Sequence, residues 1–189
     1  METLDEEDIA RLLEALADVP AHFSVITQLA LLTGARRGEI CGLRWSDIDF
    51  EKGTLSIKRT VQFIPGEGIV FTSPKTKRSR RCIRIGADCL ELLKEYRQHQ
   101  IQERLRIGSR WARKVTIENG KVVDNDILFT RWNGEPLDPE TVSTWFPRFL
   151  EEHGLPAVHF HSLRHTNASL LIAAHVPITT VSGRLGHAQ

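Results

Sequence analysis

Residues 33–43 read TGARRGEICGL, and the parsing of this stretch organises everything around it. Thr33 and Gly34 stop a helix, because glycine is the residue that most readily takes the left-handed conformation of a C-terminal cap. Arg36 to Leu43 begins a further short turn of helix, and Trp45 to Asp49 runs into a loop. Arg36 therefore stands beside a helix break with Glu39 three residues on, placed to orient the guanidinium while its fork faces a ligand. Taken alone, the same residues make a capped helix end with a surface ion pair, which says nothing about function.

Upstream, apolar residues recur at helical spacing from Leu4 to Leu32, as in Ile9, Leu12, Leu13 and Leu16, then Phe23, Ile26, Leu29 and Ala30. Pro20 marks a break, so two helices are expected. Downstream, Gly53–Val61 and Ile69–Ser73 are rich in β-branched and apolar residues around a Pro-Gly turn, and Arg80–Ile85 alternates Cys82 and Arg84 against Ile83 and Ile85. Together these predict a small three-stranded antiparallel sheet.

Helical periodicity returns from Asp88 to near Leu105, whereas Gly108–Asn125 mixes Gly, Asn and charges and reads as a surface excursion. Asp138 followed by Pro139 has the chemistry of an N-cap and first turn, predicting a helix over Pro139–His153 ended by Gly154. Two more helices are expected, Ser162–Ala174 and Ile178–Leu185. The fold class is thus mainly α with a small three-stranded antiparallel β-sheet, in one domain over residues 1–189.

Composition narrows the function classes. The chain has 189 residues, 41% of them hydrophobic, enough to bury one real core. Cys41, Cys82 and Cys89 fit no metal-ligand spacing and read as reduced thiols, which favours a cytoplasmic protein. No apolar run approaches the roughly 20 residues of a membrane span, and no membrane partner is expected. The formal net charge is only +1, but it is segregated. Six basic residues and no acid fall between Phe71 and Ile85, while Glu2–Asp18 carries seven acids against one arginine. A polyanion could therefore meet a locally basic face.

Three further boxes carry chemistry. His161-Ser162-Leu163-Arg164-His165 brings a permanent cation and imidazoles to the expected start of a helix, a place suited to phosphate. Its bland alternative is a solvated helix face. Ser73–Arg81 puts Lys75, Lys77, Arg78, Arg80 and Arg81 in a presumed turn between strands, more positive charge than solubility requires. In Arg184-Leu185-Gly186-His187, Gly186 looks like a helix end with a histidine just beyond it.

In order and separation, TGARRGE, PKTK, HSLRH and RLGH resemble the signature of tyrosine recombinases and phage-type integrases, over nearly the whole chain. That resemblance implies a catalytic site of Arg36, Lys75, His161, Arg164 and His187. Arg36 and Arg164 would clamp the non-bridging oxygens of a scissile phosphate, a task that suits bidentate guanidinium geometry. Lys75 would protonate the departing 5′ hydroxyl, with Lys77 as the fallback if the register slips. His161 would assist proton transfer to and from the nucleophile, and His187 would hydrogen-bond the phosphate. Glu39 and His165 would play supporting parts, and Lys77, Arg78, Arg80 and Arg81 would contact DNA.

The implied activity is site-specific recombination of double-stranded DNA, integrating or excising a mobile element through a 3′-phosphotyrosyl intermediate. It needs no cofactor, metal or small-molecule substrate, and the full-length enzyme would act as a homotetramer on DNA. The family nucleophile normally follows the LGH box by several residues, beyond Gln189, and the one tyrosine here, Tyr96, reads as a packing residue. The expectation is a domain cut short before its nucleophile, without the N-terminal DNA-clamping domain, and unable to cleave by itself. Two rival readings remain at this point. A metal-dependent hydrolase could draw on His159, His161, His165, His175 and His187, but no acid between Glu152 and Gln189 completes a mixed ligand set. A non-catalytic DNA-binding module would use the basic residues only to hold phosphates.

Overall fold

A computed structural model describes residues 3–73 and 80–186. The expectations placed on Lys75, Lys77, Arg78 and His187 therefore lie outside the described residues.

Helix α1 (Glu6–Ala15) opens on Asp5, whose carboxylate accepts from the Asp8 amide at 2.8 Å. Glu6, Glu7 and Asp8 in its first turn complement the unpaired amides there. After Pro20, α2 (Ala21–Thr33) is the central helix, with Val25, Ile26, Leu29 and Ala30 all buried. It is followed by the short α3 (Arg37–Cys41), the long α4 (Ala87–Ile107), α5 (Pro139–Glu152), α6 (Ser162–Ala173) and α7 (Ile178–Leu185). Helix α2 packs against α6, α4 and α3, which explains why its apolar residues run round most of its circumference. Asp138 caps α5 by accepting from the Glu140 amide at 2.9 Å, and Gly154 follows its end at a φ of 61°. Phe129, Phe146 and Phe149 are each at most 1% exposed and anchor one continuous apolar cluster. Burying each such ring is worth about 1.5–3 kcal/mol.

The expected small three-stranded antiparallel sheet is present, but partly from other segments than expected, and further strand pairs lie outside it. Strand β1 (Ile48–Asp49), β2 (Thr54–Ile57) and β5 (Arg81–Arg84) form a three-stranded antiparallel sheet with β2 in the middle and Leu55 opposite Ile83. Strands β3 (Thr60–Ile64) and β4 (Gly68–Thr72) form a separate hairpin. The expected strand over Gly53–Val61 is thus two strands, divided at Lys58 and Arg59. The cause is Arg59, which turns inward at 6% exposure, pairs with buried Asp47 and donates to the Gly42 carbonyl at 3.3 Å. Satisfying that cation takes the chain out of one sheet and into the other.

The expected surface excursion also has structure. Strands β6 (Lys114–Thr116) and β7 (Val122–Asp124) make a third antiparallel pair. Trp111, Val115 and Ile117 around it are buried, and Glu118 reaches Arg59 at 3.4 Å. Among the described residues no helix is long and apolar enough to cross a membrane.

Candidate functional site

The site begins where α2 ends. The Thr33 hydroxyl donates to the Leu29 carbonyl at 2.6 Å and accepts from the Ala35 amide at 3.2 Å. Gly34 then turns left-handed, with φ 64° and ψ 15°. A Cβ there would lie 2.5 Å from Leu185 Cδ2 and 2.7 Å from Asn167 Oδ1, so only glycine lets the end of α2 lie directly against α6 and α7. Gly38 plays the same part toward β3, where a Cβ would meet Thr60 Oγ1 at 2.5 Å. Two glycines of one box thereby bring three distant parts of the chain to Arg36.

Arg36 is the N-cap of α3. Its backbone amide donates to Glu39 Oε2 at 2.8 Å and its Nη1 to Glu39 Oε1 at 3.1 Å, while its side chain stays 43% exposed. Glu39 itself is buried and carries a second, tighter partner. Arg81 on β5 donates from Nη1 and Nη2 to the two oxygens of Glu39 at 3.0 and 2.8 Å. Burial alone would raise the Glu39 carboxyl, but the hydrogen bonds and charges of Arg81 and Arg36 outweigh it and hold it below the ordinary value.

Arg164, on the first turn of α6, is 3% exposed. Its Nη1 donates to the Gly34 carbonyl and its Nη2 to the Leu185 carbonyl, each at 2.6 Å. Burial, with the charges of Arg36 and Arg81 adding to it, pulls this guanidinium down to about 10. His161 precedes α6 as its N-cap and is exposed, with its ring centroid 5.1 Å from that of half-buried His165 in an edge-on arrangement.

An open cleft of about 470 Å³ is lined by Arg36, His161 and Arg164 together with Thr60, Ser143 and His159. Residues 125 or more positions apart thus share one concave wall that can present hydrogen-bond donors to an anion. Ser143 carries no anion-site signal in the sequence, and His159 stands there only among the candidate metal ligands. A larger cavity of about 660 Å³, bounded by His22, Tyr96, His99, Trp111 and Trp132, contains none of the three.

Among the residues expected to contact DNA, Arg80 is exposed just ahead of β5. Arg81 is turned inward, with a side chain 6% exposed. The signal for this was present in the alternation of β5, which puts Arg81 on the same face as Ile83. Tyr96 is buried, packs 5.4 Å from the Phe129 ring and has its hydroxyl shifted upward by burial. Among the described residues no group of His, Cys, Asp and Glu could hold a metal ion.

Comparison with known proteins gives a consistent result. The model of the phage integrase family matches residues 2–189. A tyrosine recombinase XerC-like protein of Caldanaerobacter subterraneus subsp. tengcongensis is 35% identical, over 100% of this chain and 48% of its own length. The chain therefore spans about half the length of that relative. The structure of the Tn1549 transposon integrase in complex with transposon right end DNA superposes with a TM-score of 0.84 at 20% identity, covering 100% of this chain and 58% of that one. A lambda integrase tetramer bound to a Holliday junction gives 0.65 at 22% identity, covering 100% of this chain and 47% of that one.

Proposed function

The chain belongs to the phage integrase family, and from that premise we propose that it is the catalytic domain of a site-specific tyrosine recombinase. The observation that carries this reading is the meeting of Arg36, His161 and Arg164 in one open cleft. A backbone phosphate seated there would have its non-bridging oxygens held by two guanidinium groups, Arg164 anchored on two carbonyls and Arg36 paired with Glu39 but still 43% exposed. Phosphoryl transfer depends mostly on such positioning and on stabilising charge at those oxygens.

In this mechanism a tyrosine oxygen attacks the phosphorus and loses its proton to His161, while the bond to the 5′ oxygen breaks. The departing oxygen takes a proton from Lys75, and a 3′-phosphotyrosyl link remains until a 5′ hydroxyl reverses the step. His187 would donate to the same phosphate. Glu39 and His165 would hold Arg36 and His161 in place, and Arg80, Lys77 and Arg78 would meet the DNA backbone. Tyr96, buried in the core, is not the attacking group, so cleavage requires a different tyrosine.

The whole protein would integrate or excise a mobile element in the cytoplasm, acting as a homotetramer on two duplexes; the likeness to a lambda integrase tetramer bound to a Holliday junction supports this. The test is binding of duplex DNA and of inorganic phosphate to this chain and to its Arg36→Ala variant. Competition between the two ligands, with both weakened about tenfold or more in the variant, is the expected result. Binding that ignores Arg36 would return the chain to the rival reading, a module that holds DNA by scattered basic residues.

A further inference from the structure

We propose that Arg81 is a positioning residue for the phosphate site: it neutralises Glu39, so that Arg36 keeps its positive charge for the ligand, and it holds the end of α7 against the site. The inference rests on the reading above and deepens it.

Among the described residues, Glu39 accepts four hydrogen bonds. Arg36 supplies one from its backbone and one from Nη1, and Arg81 supplies both of its terminal nitrogens. Both side chains of the Arg81–Glu39 pair are 6% exposed, so water screens their attraction poorly, whereas Arg36 is 43% exposed. The inner pair is therefore the one in which charge is matched. Among the described residues, Arg36, Arg81 and Arg164 against Glu39 leave two net positive charges for a phosphate. Without Arg81, Glu39 would claim Arg36 as its counterion, and only one would remain.

The second part of the role is mechanical. Arg81 Nε donates to the Arg184 carbonyl at 2.7 Å, next to the Leu185 carbonyl that Arg164 takes. Two arginines thus cap successive carbonyls that the C-terminal turn of α7 leaves without helical partners. A Cβ on Gly186, which sits at φ 68°, would come within 3.3 Å of Arg81 Cδ and Nη1. The arginine stem and the helix end are built to touch. Through one side chain, β5 is tied to α7 and to the carboxylate that steers Arg36.

The experiment titrates inorganic phosphate into this chain, followed by amide and guanidinium NMR shifts, in wild type, R36A, R81M, R81K and E39Q/R81M. R81M is expected to weaken phosphate binding by at least about tenfold. R81K, which keeps the charge without the fork, should fall between R81M and wild type. E39Q/R81M removes both charges together and should recover to within about threefold of wild type. A part limited to folding would lower the stability of R81M without any recovery of affinity in the double variant. Should R81M not fold, the double variant decides: near-wild-type affinity supports the proposal, and a tenfold loss overturns it. If R36A abolishes binding while R81M leaves it unchanged, the positioning role alone is wrong. If R36A changes nothing, the phosphate site itself is wrong and the proposal goes with it.

Discussion

Arg164 reaches back 130 residues to donate to the Gly34 carbonyl at 2.6 Å. The bond makes an arginine of the cleft also a clasp between α6 and the end of α2, with its Nη2 doing the same for α7 through Leu185. Lysine has one ammonium and cannot span two carbonyls and a ligand at once. Arg164→Lys is therefore expected to lower stability by about 2 kcal/mol or more, since a buried carbonyl is left unsatisfied. Urea unfolding checks this, and a midpoint equal to wild type would show that the clasp contributes nothing.

Gly34→Ala tests the same junction from the other side. The substitution adds strain at φ 64° and drives a methyl group to within 2.5 Å of Leu185 Cδ2. Backbone strain and overpacking together are expected to cost about 2–4 kcal/mol. Because the Gly34 carbonyl orients Arg164, phosphate affinity should drop even at temperatures where the variant is fully folded. Unchanged affinity in the folded variant would separate the junction from the site.

The helices were legible because their signals are local. Asp138 with Pro139, Gly154 and Pro177 mark ends within a residue or so of those observed, and α7 runs from Ile178 to Leu185 as read. The sheets were less so. The run from Gly53 to Val61 has strand chemistry throughout, and only the inward turn of Arg59 to Asp47, a tertiary event, splits it. The pair β6 and β7 escaped notice because strands of three residues carry too few inward positions to show a period. In the site, Arg36, His161 and Arg164 were marked by their boxes. Arg81 was hidden by its neighbours: in a run of six cations, charge suggested an outward face, although its place beside Ile83 pointed inward.

The acid sensitivity of the fold should depend on Glu39. Its carboxyl lies below the ordinary value of 4.5 in the folded protein, against the pull of burial, because Arg81 and Arg36 favour the charged form. The folded state thus holds the ionised group more strongly than the unfolded chain does. That stabilisation is complete above the ordinary value and is lost as pH falls through the lower folded-state value. Glu39→Gln should therefore be less stable than wild type near neutrality, with the two curves drawing together at acid pH. A difference that stays constant from pH 7 down to pH 2 would mean that the Glu39 charge is not what the fold uses.

Arg36 and Arg164 share the cleft but differ in how they are held, and that difference predicts a dissociation. Arg164 is buried and bound to two carbonyls, whereas Arg36 is 43% exposed and, among the described residues, its side chain is held by Glu39 alone. An ion pair so open to water contributes at most about 1 kcal/mol. Arg36→Ala should therefore leave the unfolding midpoint nearly unchanged while removing phosphate binding as thoroughly as any change at Arg164. The backbone bond from Arg36 to Glu39 survives the substitution, and so does the Arg81–Glu39 pair, which keeps α3 in place. Parallel thermal melts and phosphate titrations of the two variants make the comparison. Equal loss of stability in both would mean that Arg36 is a strut, and that the cleft owes its arginines to the fold instead of to an anion.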